Sequence, residues 1–389
     1  MATTPSIAMI PSGYKDEKVY SVLPTNGDGD FTFARTTIAT RVNSNGLIEE
    51  VGIGKPRLDY SDGACPSLLL ERTATNFAVY SEAISTSYST NNLTQTPNYG
   101  ISPDGNLTST RAVLDNLTDS RTSFNNTSLV NGTEYTFSAY YKGVIGQTTY
   151  MYFLSSAGGV NASKEIVFNG QWQRESITFT AGSANNFTYI VDVRQGTSTA
   201  TDFEVWGVQV EENSYSTSYI KNEGTALGVT RVADSASGSG NDTVINSTEG
   251  VLYFEGSALS NEVGSKNITI SDGTSSNRVI FSFGNNGANR LDVEFVAGTT
   301  QFSGSKTFDM TSNFKLAFSY KLNEFKLFIN GSQEGVTDTN GVTPVSNTFN
   351  RLDFANINGI SQPFKGKVKD LRVYTTALSN EELETLTTI

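Results

Sequence analysis

The chain has 389 residues, two to three times the ~150 of an average domain, so two or three domains are expected. With 37% apolar and 17% charged residues, 35 Gly, 23 Phe and 17 Tyr, it is too aromatic for a disordered chain. It is also too poor in Leu, Ala, Glu and Lys for a helical one, so strands and turns should dominate. It has no His and one Cys, which excludes Ser-His-Asp triads, Cys-His dyads, His-ligated metal sites and intrachain disulfides.

The formal charge of −12, from 27 basic and 39 acidic residues, argues against nucleic acid and anionic membrane surfaces as partners. No apolar run approaches the ~20 residues needed to span a bilayer, so no membrane insertion is expected. The opening Met1-Ala2-Thr3-Thr4-Pro5-Ser6 does not read as a secretory leader.

Residues 1–73 read as short extended pieces. Asn26-Gly27-Asp28-Gly29-Asp30 precedes the alternating Phe31-Thr32-Phe33-Ala34-Arg35, and Asn45-Gly46 is a turn dipeptide between Thr40-Arg41-Val42 and Leu47-Ile48-Glu49-Glu50-Val51. Lys55-Pro56-Arg57-Leu58-Asp59-Tyr60 continues in extended form. Little here could build a core alone, so the stretch is expected to pack on a neighbouring domain or another protein.

Residues 74–222 alternate with a period of two. Tyr135–Tyr140, Tyr150–Leu154, Trp172–Thr180, Phe187–Val193 and Phe203–Val210 read as strands of an antiparallel sandwich, without intervening helices. Residues 223–240, with Asp234-Ser235-Ala236-Ser237-Gly238-Ser239-Gly240, read as a flexible linker.

From 241 to 389 the alternation resumes at Val251–Phe254, Arg278–Phe283, Leu291–Phe295, Phe314–Lys321 and Glu324–Ile329. Asn330-Gly331 then signals a hairpin. Phe364–Tyr374 is a further strand, and Ser379-Asn380-Glu381-Glu382 is a capping box opening a short helix over Glu381–Leu386.

Phe364-Lys365-Gly366-Lys367-Val368-Lys369-Asp370-Leu371-Arg372-Val373-Tyr374, followed by Ala377-Leu378-Ser379-Asn380-Glu381-Glu382-Leu383, resembles the closing strand and helix of the laminin-G-like, concanavalin A-like lectin superfamily. The hairpin from Leu316–Tyr320 to Phe328-Ile329-Asn330-Gly331 resembles that family as well. The resemblance implies a two-sheet jelly roll that in many relatives binds sugars or proteins, sometimes with calcium.

An ordered set in the front half resembles the amino-terminal segment of phage virion appendage proteins, of tail-fibre or head-spike-fibre type. It comprises Gly29–Arg35, Ala39–Glu49, Pro56–Tyr60, Pro66–Glu71 and Thr75-Asn76. Trp206–Glu211, Thr217–Ile220 and Thr230–Asp234 look like the end of the carbohydrate-binding-module-like jelly roll of such proteins. One departure is the Arg72-Thr73-Ala74 link after Glu71, where relatives commonly carry a Pro.

The expected fold is therefore all-β: two antiparallel β-sandwich (jelly-roll) domains, 74–222 and 241–389, after an extended N-terminal virion-docking segment, 1–73. The expected function is a virion structural protein, exposed on head or tail, that adheres to host surface polysaccharide. Its partners would be other virion proteins and copies of itself, a trimer by analogy. The alternative is a purely structural decoration or connector that uses the lectin-like fold for protein contacts.

Catalysis is not expected. Glycoside hydrolysis requires two carboxylates across the scissile bond, and glucanases of this fold carry Glu-x-Asp-x-x-Glu on one strand. The nearest segment, Asp292-Val293-Glu294, lacks the outer acid and reads as two solvent-facing acids on an edge strand. The loop Asn285-Asn286-Gly287-Ala288-Asn289-Arg290 has polar groups suited to sugar hydroxyls, making Asn285, Asn286, Asn289 and Arg290 the candidate carbohydrate-binding residues. Trp172 and Trp206 sit in alternating strands and read as core, and Cys65 as a small buried residue. No cofactor is expected and no metal site is identified; calcium is left open, with Asp28, Asp30, Asp202 and Glu204 as candidate ligands.

Overall fold

In a computed structural model, which describes residues 3–359 and 361–389, the alternating segments form antiparallel ladders, and helices are confined to a few short pieces. The chain divides into two compact units. The first comprises 1–38, 51–72 and 233–389, and the second 39–50 and 73–232.

In the first unit, an eight-stranded sheet runs Ser332–Asp338, Glu324–Ile329, Phe314–Lys321, Glu249–Ala258, Gly366–Tyr374, Ser67–Leu70 and Arg57–Asp59. Ile7–Met9 is its remaining strand, and pairs with Gly366–Tyr374. A five-stranded sheet runs Thr299–Thr307, Arg290–Ala297, Asn277–Phe283, Lys266–Ser271 and Arg351–Asp353. Alternation sorts the faces. Leu252 and Phe254 turn into the main core with Phe281, Phe283, Phe295 and Phe318, while Val251 and Tyr253 pack with Leu383 in a second cluster. Leu383 belongs to the helix Asn380–Thr387. Its Ser379 cap accepts from Glu382 N–H, and the Glu382 side chain accepts from the Ser379 N–H, as the capping box requires. Asn330 and Gly331, at φ 50° and 79°, make the two-residue hairpin between Glu324–Ile329 and Ser332–Asp338.

In the second unit, one sheet runs Ser89–Asn91, Arg121–Asn125, Ala184–Asp192, Thr148–Ala157 and Ala162–Val167. The other runs Leu93–Thr96, Thr110–Leu114, Asp202–Glu211, Glu134–Gly143 and Gln173–Thr180. Phe137, Phe153, Phe179, Ile190 and Val208 share their core, with the Phe153 and Phe179 rings stacked 3.6 Å apart.

The structure partitions the chain differently from the expected boundaries. Residues 1–73 are not a separate extended segment. Ile7–Met9, Arg57–Asp59 and Ser67–Leu70 are strands of the first unit's large sheet, and Phe31, Phe33, Leu68 and Leu70 lie in its core. Residues 39–50 belong to the second unit.

The Gly- and Ser-rich stretch is not a loose linker either. Val229–Arg231 pairs with Ala74–Asn76 in the second unit, and Ser235–Ser237 pairs with Phe31–Ala34 in the first. Its small residues serve geometry. Gly238 and Gly240 adopt φ of 73° and 81°, and the buried Ser239 hydroxyl donates to Gly29 O at 2.7 Å. Asp234 is buried among charges. Arg35 Nη1 meets its Oδ1 at 2.9 Å, Arg57 bridges it to Glu71, and Lys365 Nζ donates to the Glu71 and Asp234 carbonyls at 3.2 Å. Such partners answer the large penalty of burying a carboxylate.

Candidate functional site

On the five-stranded sheet of the first unit, Val279, Phe281 and Phe283 face the core, as do Leu291, Val293 and Phe295. The opposite phase therefore puts Arg278, Ile280 and Ser282, with Asp292 and Glu294, on the outer face. There they line a pocket of about 230 Å³ together with Asn267 and Ser303 from flanking strands. Ser265, Asn285 and Asn286 close one side, and Asn356 and Gln362 add amide groups.

The polar groups hold one another in place. Arg278 Nη2 donates to Glu294 Oε2 at 2.7 Å, and Thr300 Oγ1 to Glu294 Oε1 at 3.1 Å. Arg290 Nε donates to Asp292 Oδ1 at 2.8 Å, and Asn286 Nδ2 to Asp292 Oδ2 at 3.2 Å. The Ser265 hydroxyl donates to Asn285 Oδ1. Gln362 Oε1 accepts from Asn267 Nδ2 at 3.1 Å and from Asn356 Nδ2 at 2.9 Å. Asn267 is only 1% exposed, yet its Oδ1 has no hydrogen-bond partner among the described residues, nor has the buried Nε of Arg278. Unmet buried groups are costly and call for an explanation. Beside the site, burial pushes the Lys266 ammonium below the usual lysine range, against the opposing pull of Glu262.

Two of the four residues expected at the site, Asn285 and Asn286, line it. Arg290 supports Asp292 without lining the pocket. Asn289 is a turn residue at φ 58°, its N–H donating to Asn261 O at 2.9 Å and its carbonyl accepting from Phe308 N at 2.8 Å. Asp292 and Glu294 do not sit on an edge strand, because Arg290–Ala297 is paired on both sides. Local sequence reading missed Asn267, Arg278, Asn356 and Gln362. The one available signal was phase: Arg278 and Ser282 are the polar beats of an otherwise apolar strand.

The other candidates resolve separately. Trp206 is fully buried, with Nε1 donating to Thr108 Oγ1 at 3.0 Å and its ring 4.5 Å from that of Tyr219. Trp172, expected as core, is only partly buried. It packs against that cluster and donates from Nε1 to Ile101 O at 2.9 Å. Cys65, expected to be buried, is exposed and free; it lies in the turn of Gly63-Ala64-Cys65-Pro66, ahead of the apolar strand that enters the core.

Of the candidate calcium ligands, Asp28 accepts from Asn26 Nδ2 at 2.8 Å and Asp30 from Ser21 N at 2.9 Å. Asp202 accepts from Arg111 Nε at 2.8 Å and Glu204 from Ser109 Oγ at 2.6 Å. Among the described residues, no group of three or more His, Cys, Asp or Glu could hold a metal ion.

Residues 258–384 match the family model described as the Concanavalin A-like lectin/glucanases superfamily. These residues, part of the first unit, are similar to concanavalin A-like lectin, laminin-G-like domains. No curated protein matches the chain. Among solved structures, it is similar to the CBM40 of the Ruminococcus gnavus IT-sialidase, at 16% identity over 39% of this chain and 93% of that one, TM-score 0.32. It is also similar to domain 4 of AbnA, a GH43 extracellular arabinanase from Geobacillus stearothermophilus, in complex with arabinotriose. That match has 17% identity over 46% of this chain and 84% of that one, TM-score 0.33. A third similar structure is the heptameric SAP-like pentraxin from Limulus polyphemus, at 14% identity over 36% and 70%, TM-score 0.30.

Proposed function

We propose that this protein binds glycans without cutting them, through the outer face of the five-stranded sheet in its lectin-type domain. The observation that carries the reading is the polar pocket around Asn267, Arg278, Asp292 and Glu294, which offers donors and acceptors in fixed positions. Sugar hydroxyls both donate and accept, and such a site needs no catalytic group. Hydrolysis would need one carboxyl held protonated as the acid and a second one facing it across the bond. Here Asp292 and Glu294 lack the outer acid of the Glu-x-Asp-x-x-Glu pattern, and each is engaged by an arginine.

The resemblance of residues 10–80 to phage virion appendage proteins supports the finer reading. On it, the protein is an exposed, trimeric virion appendage that adheres to host surface polysaccharide. Several copies displayed together would multiply weak contacts by ~10²–10⁴. The test is to incubate the full chain with host polysaccharide, measuring retention on the polymer and release of reducing ends. Retention without release supports the reading; release would overturn the non-catalytic part, and absence of retention would favour a structural connector. Immuno-gold labelling of particles tests the virion assignment separately.

A further inference from the structure

We infer that the pocket selects a single neutral sugar ring and rejects carboxylated sugars, a specificity that rests on the glycan-binding reading above. Size gives the first part. About 230 Å³ falls below the ~300–1,000 Å³ of pockets that enclose drug-sized ligands, so one ring of a chain end or branch fits and an extended oligosaccharide does not. None of the described lining residues is aromatic, so the ring is held by its hydroxyl edge and not by stacking of its face.

Charge gives the second part. Among the described lining residues Arg278 is the one cation, against the carboxylates of Asp292 and Glu294. Arg278 already commits Nη2 to Glu294, so an incoming carboxylate must compete with Glu294 for the guanidinium fork. Arg290, outside the lining, is likewise turned to Asp292. A ligand carboxylate would thus enter beside two like charges, an arrangement that discriminates by repulsion.

A neutral ring meets the opposite situation. A carboxylate accepts about four hydrogen bonds, and Asp292 and Glu294 each receive two named ones, leaving capacity for hydroxyl donors.

The experiment uses the full chain on an array of matched pairs: glucose and glucuronate, galactose and galacturonate, N-acetylglucosamine and N-acetylmuramic acid, each as a terminal residue. The expected result is binding to at least one neutral member, with its acidic counterpart weaker by about tenfold or more. The Glu294→Gln variant, checked by its melting curve, should narrow that ratio. Acidic members that bind as well as neutral ones would overturn this inference and leave glycan binding standing. A ratio unmoved in a folded Glu294→Gln protein would overturn it too. Binding to no member would remove both this inference and the reading it rests on.

Discussion

Arg278 and Glu294, on neighbouring strands, meet through Nη2 and Oε2 at 2.7 Å on the solvent side of the five-stranded sheet, directly over the apolar beats that build the core. The pair organises the pocket. It fixes the guanidinium, whose Nε meets no acceptor among the described residues, and it holds the carboxylate beside Asp292. Replacing Arg278 by Ala should therefore lower glycan affinity by about tenfold or more, at little cost to stability because the pair is partly exposed. Titration with a bound glycan, alongside a melting curve, checks both halves.

The buried charges of the first unit behave differently. Arg57 is fully buried between Glu71 and Asp234. Burial alone would favour its neutral form, but the two carboxylates outweigh burial and raise its pKa. Arg57→Leu leaves the carboxylates without that partner, and a loss of about 3–5 kcal/mol is expected. Denaturant unfolding of the variant should show it as a lower midpoint for the first unit; an unchanged midpoint would mean that the cluster relaxes to water.

Asn76 plays the comparable part in the second unit, without charge. Its Nδ2 donates to Ser81 Oγ, Val208 O and Ile220 O at 2.9, 3.2 and 2.8 Å, and its Oδ1 accepts from Ala78 N and Val210 N, both at 3.0 Å. Asn76→Ala strands several buried groups, each worth about 1–3 kcal/mol when left unmet. The expected outcome is early melting of the second unit with glycan affinity retained.

Glu211 gives a pH dependence. Burial lifts its pKa above the ordinary 4.5, against the opposing pull of Arg174 and the hydrogen bonds of Thr217. The folded state thus holds this proton more tightly than the unfolded one. Its contribution favours folding below pH 4.5 and is lost as pH rises through the elevated value. Glu211→Gln should flatten that part of the profile. Unfolding free energies of both proteins between about pH 4 and 8 test it, and parallel profiles would contradict it.

Cys65 supplies a simple check on the surface. Because the thiol is exposed, a maleimide should label it once in the native protein, without denaturant and without shifting the melting temperature. Labelling only after unfolding would contradict the structure.

Much of the architecture was legible because alternation is a local signal. Phe314–Lys321 and Glu324–Ile329 follow their patterns to the residue, and Asn330-Gly331 turns where its chemistry demands. What composition could not convey was pairing at long range. Ser67–Leu70 contains enough apolar surface to enter a core, but only its register with Gly366–Tyr374 says which one. The same holds for Ser235–Ser237, whose small side chains read as a loose stretch until the partner Phe31–Ala34 is seen. The site was half legible for this reason. Asn285 and Asn286 lie in a readable loop, whereas Asn267 and Arg278 are brought together by strand pairing, and Asn356 and Gln362 arrive from a segment far along the chain.

The most direct test of the account is hydrogen–deuterium exchange on the full chain with and without a retained glycan. The account expects added protection over the strands Lys266–Ser271, Asn277–Phe283 and Arg290–Ala297 and the loop carrying Asn285 and Asn286. Protection confined to the second unit, or to the opposite sheet of the first, would contradict it.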